Sequence, residues 1–171
     1  TIDPAVVELV ISEVEDQPGA LPLLQYTLTE LFAERTGSHI TSDHFTAVGG
    51  VRGSLGRRAE AIYSELDPVA RTTCEQVFLR LVSVEENTED TRRRVTRASL
   101  DDLGIHAGSI EMVLEAYGRH RLLTFDHDPQ TREPTVEVAH EALLREWSRL
   151  RKWLDDSRDS LRIQRQLATA T

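Results

Sequence analysis

Lysine is almost missing from this chain, and its scarcity excludes one large class of active site. Lys152 is the only lysine among the 171 residues, and no glycine lies near it in the stretch RLRKWLD. A Walker A loop needs glycines whose amides surround phosphates, together with a lysine that reaches the outer phosphates. Because neither requirement is met, we expect this chain not to be an enzyme that hydrolyses nucleotides through a P-loop of its own.

Cysteine and metal-ligand motifs are equally scarce. Cys74 is the only cysteine, which excludes an internal disulfide and suits a reducing cytoplasm, where we expect the protein to be located. Its apolar helical context favours a packing role, with a reactive thiol as the alternative. His140 and Glu141 begin like the zinc-protease motif, but Leu144 stands where the second histidine is needed. The sequence therefore predicts no metal site.

The composition also lacks the marks of membrane and nucleic-acid proteins. No apolar run approaches the roughly 18 residues that a membrane-spanning helix requires. The net charge of −9 opposes binding to nucleic acid, because that affinity comes largely from neutralised phosphates. Met112 is the only methionine and the first residue is Thr1, so we expect the chain to be part of a longer protein.

Helical periodicity dominates the first part of the chain. Residues 1–66 are predicted to form a small bundle of four short helices. Asp3 and Pro4 are suited to begin the first helix, and a second is predicted to start near Pro22. The predicted buried face of this second helix consists of Leu21, Leu24, Leu28, Leu31 and Phe32.

A glycine-rich stretch, GGVRGSLG, occupies residues 49–56. A third helix is predicted from Thr41 to Val48 and a fourth after Ser54, so the glycines are interpreted as the end of one helix and the start of the next. The stretch lacks the spacing of a dinucleotide-binding loop.

A second Asp-Pro pair, at Asp67, marks the predicted boundary of another domain. Residues 67–140 are predicted to contain a helix, a short basic strand (RRRVT, residues 92–96), two helices and a two-stranded hairpin. That order is typical of a winged helix. Residues 141–171 are predicted to form one amphipathic helix, which either packs on its own domain or connects to a following one. The predicted fold class is therefore mainly α.

Several residues of this second part are candidates for contacts with a partner. Arg92, Arg93 and Arg94 form the only basic cluster, although charge that guards a strand edge explains them equally well. Trp147 and Trp153 are the candidates in the C-terminal helix. A winged helix suggests DNA binding, but the helix that would enter the groove carries carboxylates, so nucleic acid is not expected as a partner.

His140 lies where the last predicted strand gives way to the last helix. Side chains alternate along a strand, so Val136, Val138 and His140 are predicted to share the buried face. His140 then points toward its own core or toward a neighbouring domain. A buried histidine that bonds to a backbone carbonyl is the alternative to one that contacts a ligand.

Four stretches together resemble one family: QPGALPLLQYTLTELF, GGVRGSLGRRAEAIYSEL, TRRRVT and VEVAHEALLREWSRLRKWL. They are similar to the region behind the P-loop domain in the novel STAND NTPases, which are bacterial signalling ATPases that often carry WD or TPR repeats. The resemblance implies a helical lid and a winged helix that fold over a nucleotide held by that upstream domain. DNA binding through the winged helix and a plain interaction scaffold remain the alternative functions.

The resemblance also implies roles for particular residues and partners. Pro22 corresponds to a proline beside the adenine, with Gly19 one position further back than in the G-L-P-L form of the family motif. His140 corresponds to a winged-helix histidine near the β-phosphate of ADP, although it lies in AHEALL and not in M-H-D. The implied cofactor is ADP or ATP with Mg²⁺ in the longer protein, an ATPase, and not in this chain alone. The implied partners are the upstream P-loop domain in cis and a downstream repeat or sensor domain.

Overall fold

The computed structural model describes residues 1–15, 20–35, 37–84 and 89–169, with side chains of the last helix described as far as Ile163. Helices dominate, and they are accompanied by one antiparallel sheet of two strands and one of three. The prediction of a mainly α fold is thereby confirmed. The chain divides into two compact units, Thr1–Ala59 and Glu60–Thr171. The functional division into residues 1–66, 67–140 and 141–171 stays a prediction.

The helices of the first part follow the predicted order. They are α1 (Pro4–Val14), α2 (Leu21–Glu34), α3 (Ser42–Val48) and α4 (Gly50–Glu65). Asp3 accepts a hydrogen bond from the Ala5 amide and so caps α1. Gly49, in the left-handed conformation at φ 92°, ends α3. These local signals act within a few residues, so the sequence alone was enough to predict them.

The predicted buried face of α2 is largely wrong. Its buried residues are Leu23, Tyr26, Thr27 and Leu31. Leu21 is 75% exposed and Phe32 is 59% exposed. The helix carries apolar side chains on two adjoining stripes, and periodicity does not say which of the two stripes the rest of the unit covers.

The fourth helix begins at Gly50, whereas its predicted start lies after Ser54. Most of the glycine-rich stretch therefore lies inside a helix and not between two. A carboxylate from α1 makes this possible, because Glu13 accepts hydrogen bonds from the amides of Val51 at 2.8 Å and Arg52 at 3.4 Å. Gly50 has φ 68°, a conformation that glycine adopts readily, and a Cβ there would lie 2.6 Å from a Glu13 oxygen. Both the backbone conformation and the close carboxylate therefore favour glycine at this position.

The second part of the chain alternates short strands with helices. Its elements are α5 (Pro68–Arg80), β1 (Val82–Ser83), β2 (Thr91–Arg92), β3 (Val95–Thr96), α6 (Arg97–Asp101), α7 (Ala107–Arg119), β4 (Leu123–His127), β5 (Pro134–Val138), α8 (Leu143–Glu146) and α9 (Ser148–Thr169). β1 pairs with β2, and the other sheet has the order β3-β5-β4, all antiparallel. The predicted hairpin is confirmed. The predicted single basic strand is wrong, because β2 and β3 belong to different sheets.

The prediction of one continuous helix from residue 141 onward is also wrong. Trp147 interrupts it with an extended backbone, at φ −94° and ψ 100°, between α8 and α9. Its indole packs in the core against Phe78 at 5.1 Å and Trp153 at 5.3 Å between ring centroids. At this break the Trp147 indole also donates a hydrogen bond to Glu60.

Cys74 belongs to the same core. Its thiol donates to the Tyr117 hydroxyl oxygen at 3.4 Å, and burial raises the pKa of Cys74 to about 12. A thiol that stays protonated and inaccessible is inert, which favours the packing role over the reactive one.

In the described part of the chain, no helix has both the length and the apolar character that crossing a bilayer would require.

Candidate functional site

His140 lies at the corner between β5 and α8. The prediction that the strand extends to His140 is wrong, because β5 ends at Val138 and the Ala139 amide bonds to the Leu122 carbonyl outside the ladder. The carbonyl of His140 accepts from the Leu143 amide at 3.0 Å, which starts the turn into α8. Val136 and Val138 are buried as predicted, whereas His140 is half-buried.

The surroundings of the His140 imidazole favour its neutral form over the imidazolium. Partial burial and the positive charge of Arg92, in that order, lower the pKa of His140 below its ordinary value. A neutral imidazole has one N–H donor and one acceptor nitrogen. At neutral pH this group can therefore donate one hydrogen bond and can take up a proton when an anion approaches.

Arg92 reaches the same corner from β2. Its Nη1 donates to the carbonyl oxygens of Val138 at 3.2 Å and Ala139 at 3.1 Å, which are 46 and 47 positions away along the chain. β2 is held in place by its antiparallel pairing with β1. Sequence reasoning grouped Arg92 with its neighbours as a basic cluster and missed this contact, since a separation of that length leaves no local signal.

The other two arginines of the cluster have different surroundings. Arg94 pairs with Glu137 at 2.9 Å and with Asp126 at 4.0 Å. Arg93 bonds through its backbone amide to the Leu81 carbonyl, and its exposed side chain forms no ion pair with any described residue. The run RRR is therefore three separate contacts and not one basic patch.

Trp147 and Trp153 lie in the core and not on the surface. They are 1% and 8% exposed. The Trp147 Nε1 donates to Glu60 at 2.9 Å, and the Nε of Arg149 donates to the same carboxylate oxygen at 3.0 Å. Packing explains both rings, and this position does not support the prediction that they contact a partner.

Pro22 is exposed in the first turn of α2. Leu21, beside it, belongs to an uncovered apolar stripe that continues through Leu28 to Phe32. Gly19, the other residue of the implied adenine contact, lies outside the described residues. Pro22 and His140 belong to different compact units.

A charged cleft of about 390 Å³ opens beside the His140 corner, lined among others by Thr91, Glu141, Arg145 and Arg158. Arg158 is bound by Asp90 at 2.6 and 2.8 Å. Since carboxylates and guanidinium groups both line it, the cleft is not by itself an anion site. Within the described ranges, no group of three or more histidine, cysteine or acidic side chains is placed to hold a metal ion.

The helix that would enter a DNA groove, α7, presents carboxylates. Glu111 pairs with Arg97 at 3.0 Å and Glu115 with Arg119 at 2.9 Å. These pairs tie up the nearby guanidinium groups that phosphate contacts would need.

Comparison with known proteins gives one match that covers the whole chain. The family model described as Novel STAND NTPase 1 matches residues 1–171. No curated protein and no solved structure matched the chain.

Proposed function

The chain belongs to the novel STAND NTPase family, and on that premise we propose that it is the regulatory module that closes over a nucleotide bound by an upstream P-loop domain. The lysine content supports this proposal. The one lysine, Lys152, has no glycine near it, so a P-loop has to come from outside these residues. In this proposal residues 1–66 are a helical lid and residues 67–140 a winged helix.

The order of elements supports the winged helix. α5, the short strands, α6, α7 and the β4–β5 hairpin succeed one another as that fold requires, with β5 central in its sheet. His140 lies two residues beyond the end of β5, a strand whose direction is fixed by its pairing with β3 and β4. A histidine held at such a corner can face an adjoining domain without disturbing the core that positions it.

His140 is proposed as the phosphate sensor, and the observation that carries this role is its half-buried position at the corner that Arg92 also reaches. A neutral imidazole next to a permanent positive charge can donate to a phosphate oxygen, and the negative charge of the phosphate then favours the imidazolium. A hydrogen bond to a charged group contributes about 1.5–3 kcal/mol net. That range corresponds to a bias of about ten- to a hundredfold in the closed state, since 1.4 kcal/mol is about a factor of ten.

The longer protein supplies the nucleotide-binding site. It is an ATPase that binds ADP or ATP with Mg²⁺ through its P-loop domain, which is the partner of this module in cis. Pro22, exposed at the start of α2, lies beside the adenine. A downstream repeat or sensor domain follows α9, and the protein works in signal transduction in the cytoplasm. With ADP bound, His140 holds the module closed, and exchange for ATP loosens it.

The test replaces His140 with Ala in the full-length protein and measures the dissociation rate of a fluorescent ADP analogue. His127→Ala is the matched control, because His127 is exposed on β4, away from the corner. We expect dissociation to be about ten- to a hundredfold faster in His140→Ala and unchanged in His127→Ala. Unchanged dissociation in both variants would contradict the sensor role.

A further inference from the structure

Arg92 binds the backbone directly before His140. Its Nη1 bridges the carbonyls of Val138 and Ala139, the two residues directly before the histidine. After the histidine, the Leu143 amide donates to the His140 carbonyl. The backbone of His140 is thus held on both sides, by a side chain from β2 before it and by the first turn of α8 after it.

The same guanidinium has hydrogen-bonding capacity left. Arginine carries five N–H donors, and only Nη1 of Arg92 bonds to a described residue. The Arg92 side chain is exposed, and arginine keeps its charge at every physiological pH. A planar group with spare donors in this position suits an anion with several oxygen atoms.

The neighbouring arginines do not share these features. The charge of Arg94 is already matched by Glu137. The Arg93 side chain is exposed and forms no ion pair with any described carboxylate. Arg92 therefore stands apart from the rest of the basic run by its geometry and not by its residue type.

We propose that Arg92 and His140 form one phosphate-recognition pair, in which Arg92 positions the histidine and supplies a permanent positive charge. This inference rests on the proposed function, since it names a second residue of the same sensor. The two residues have unequal roles. Partial burial and the charge of Arg92 together disfavour the imidazolium until a phosphate arrives, and the arriving negative charge then lets the imidazole take up a proton from solvent.

The first experiment requires no nucleotide. The His140 imidazole is titrated by NMR in wild type, Arg92→Gln, Arg92→Lys and Arg93→Gln. We expect a higher His140 pKa in Arg92→Gln, because the adjacent positive charge is gone. Arg92→Lys is expected to stay nearer to wild type, and Arg93→Gln to leave the titration unchanged. An unchanged pKa in Arg92→Gln, or an equal rise in Arg93→Gln, overturns the pair. Arg92→Lys keeps the charge and so remains available if Arg92→Gln does not fold.

The second experiment is a double-mutant cycle in the full-length protein, read as ADP dissociation. We expect Arg92→Gln and His140→Ala each to speed dissociation by about tenfold or more. Because the residues act as a unit, the double variant should be only slightly faster than either single one. Two independent, multiplying effects contradict the pair.

The failures of the two proposals are distinguishable. If His140→Ala speeds dissociation and Arg92→Gln does not, the sensor stands and the role of Arg92 is wrong. If His140→Ala leaves dissociation unchanged, the sensor itself is wrong, and with it the recognition role of the pair, whatever the titration shows.

Discussion

The indole N–H of Trp147 donates a hydrogen bond to the Glu60 carboxylate at 2.9 Å, across 87 residues of chain. Arg149 binds the same carboxylate from the first turn of α9. Both donors lie next to the point where the C-terminal helix breaks. One acidic side chain therefore holds the indole ring of the residue that separates α8 from α9.

Loss of this carboxylate should destabilise the second unit. Glu60→Ala leaves the indole N–H of a nearly fully buried ring without its partner, which costs about 1–3 kcal/mol. Urea unfolding followed by tryptophan fluorescence measures it, because both tryptophans belong to this unit. Glu65→Ala, an exposed position on the same helix, is the control and should change the free energy of unfolding far less. Equal losses would contradict the role of Glu60.

The Glu13 carboxylate should stabilise the start of α4. Glu13→Ala removes the acceptor for the Val51 and Arg52 amides, and loss of a cap costs about 1 kcal/mol. Urea unfolding followed by far-ultraviolet circular dichroism measures the change. The control is Glu8→Ala, at an exposed position of α1, which should leave the transition nearly in place.

Acid should destabilise the fold through His140. The folded-state pKa of His140 lies below the ordinary value of about 6.5, so its contribution is fully present above pH 6.5 and is lost as pH falls toward the lowered value. We expect the free energy of unfolding to fall more between pH 7 and pH 5 in wild type than in His140→Gln. His127→Gln, at an exposed position, should behave as wild type. A loss in His140→Gln as large as in wild type would show that this histidine is not responsible.

Duplex DNA should not bind to this chain. Glu111 and Glu115 on α7 repel phosphates, and their pairing with arginines removes the nearest positive groups. Fluorescence anisotropy with a labelled duplex at micromolar protein is expected to stay flat, whereas Glu111→Lys/Glu115→Lys should introduce weak, salt-sensitive binding. Salt-dependent binding by the unmodified chain would instead favour a DNA-binding winged helix.

Local signals in the sequence were sufficient to predict most helices. They were insufficient to predict the contacts that each helix makes with other parts of the chain. The caps at Asp3 and Thr41 act within three residues, so the helices they begin were predicted correctly. The start of α4 was missed because Glu13, its cap, comes from another helix. The break at Trp147 was missed because the spacing of its apolar neighbours also suits an unbroken helix.

The candidate site shows the same limit. The sequence was enough to place His140 at the junction of a strand and a helix, and the resemblance was enough to suggest a phosphate for it. Neither predicted that Arg92 contacts this junction. The contact joins a two-residue strand to the end of β5 through backbone carbonyls. Carbonyl acceptors are present at every residue, so no pattern of side chains marks the ones that an arginine will bind.

The sensor role of His140 is tested by an experimental structure of the full-length protein with ADP bound, which gives the distance from the His140 imidazole to the nearest phosphate oxygen. We expect a hydrogen-bond distance, about 2.7–3.2 Å, with the guanidinium of Arg92 beside the same phosphate. A His140 ring that faces its own core, with no phosphate oxygen within reach, would contradict it.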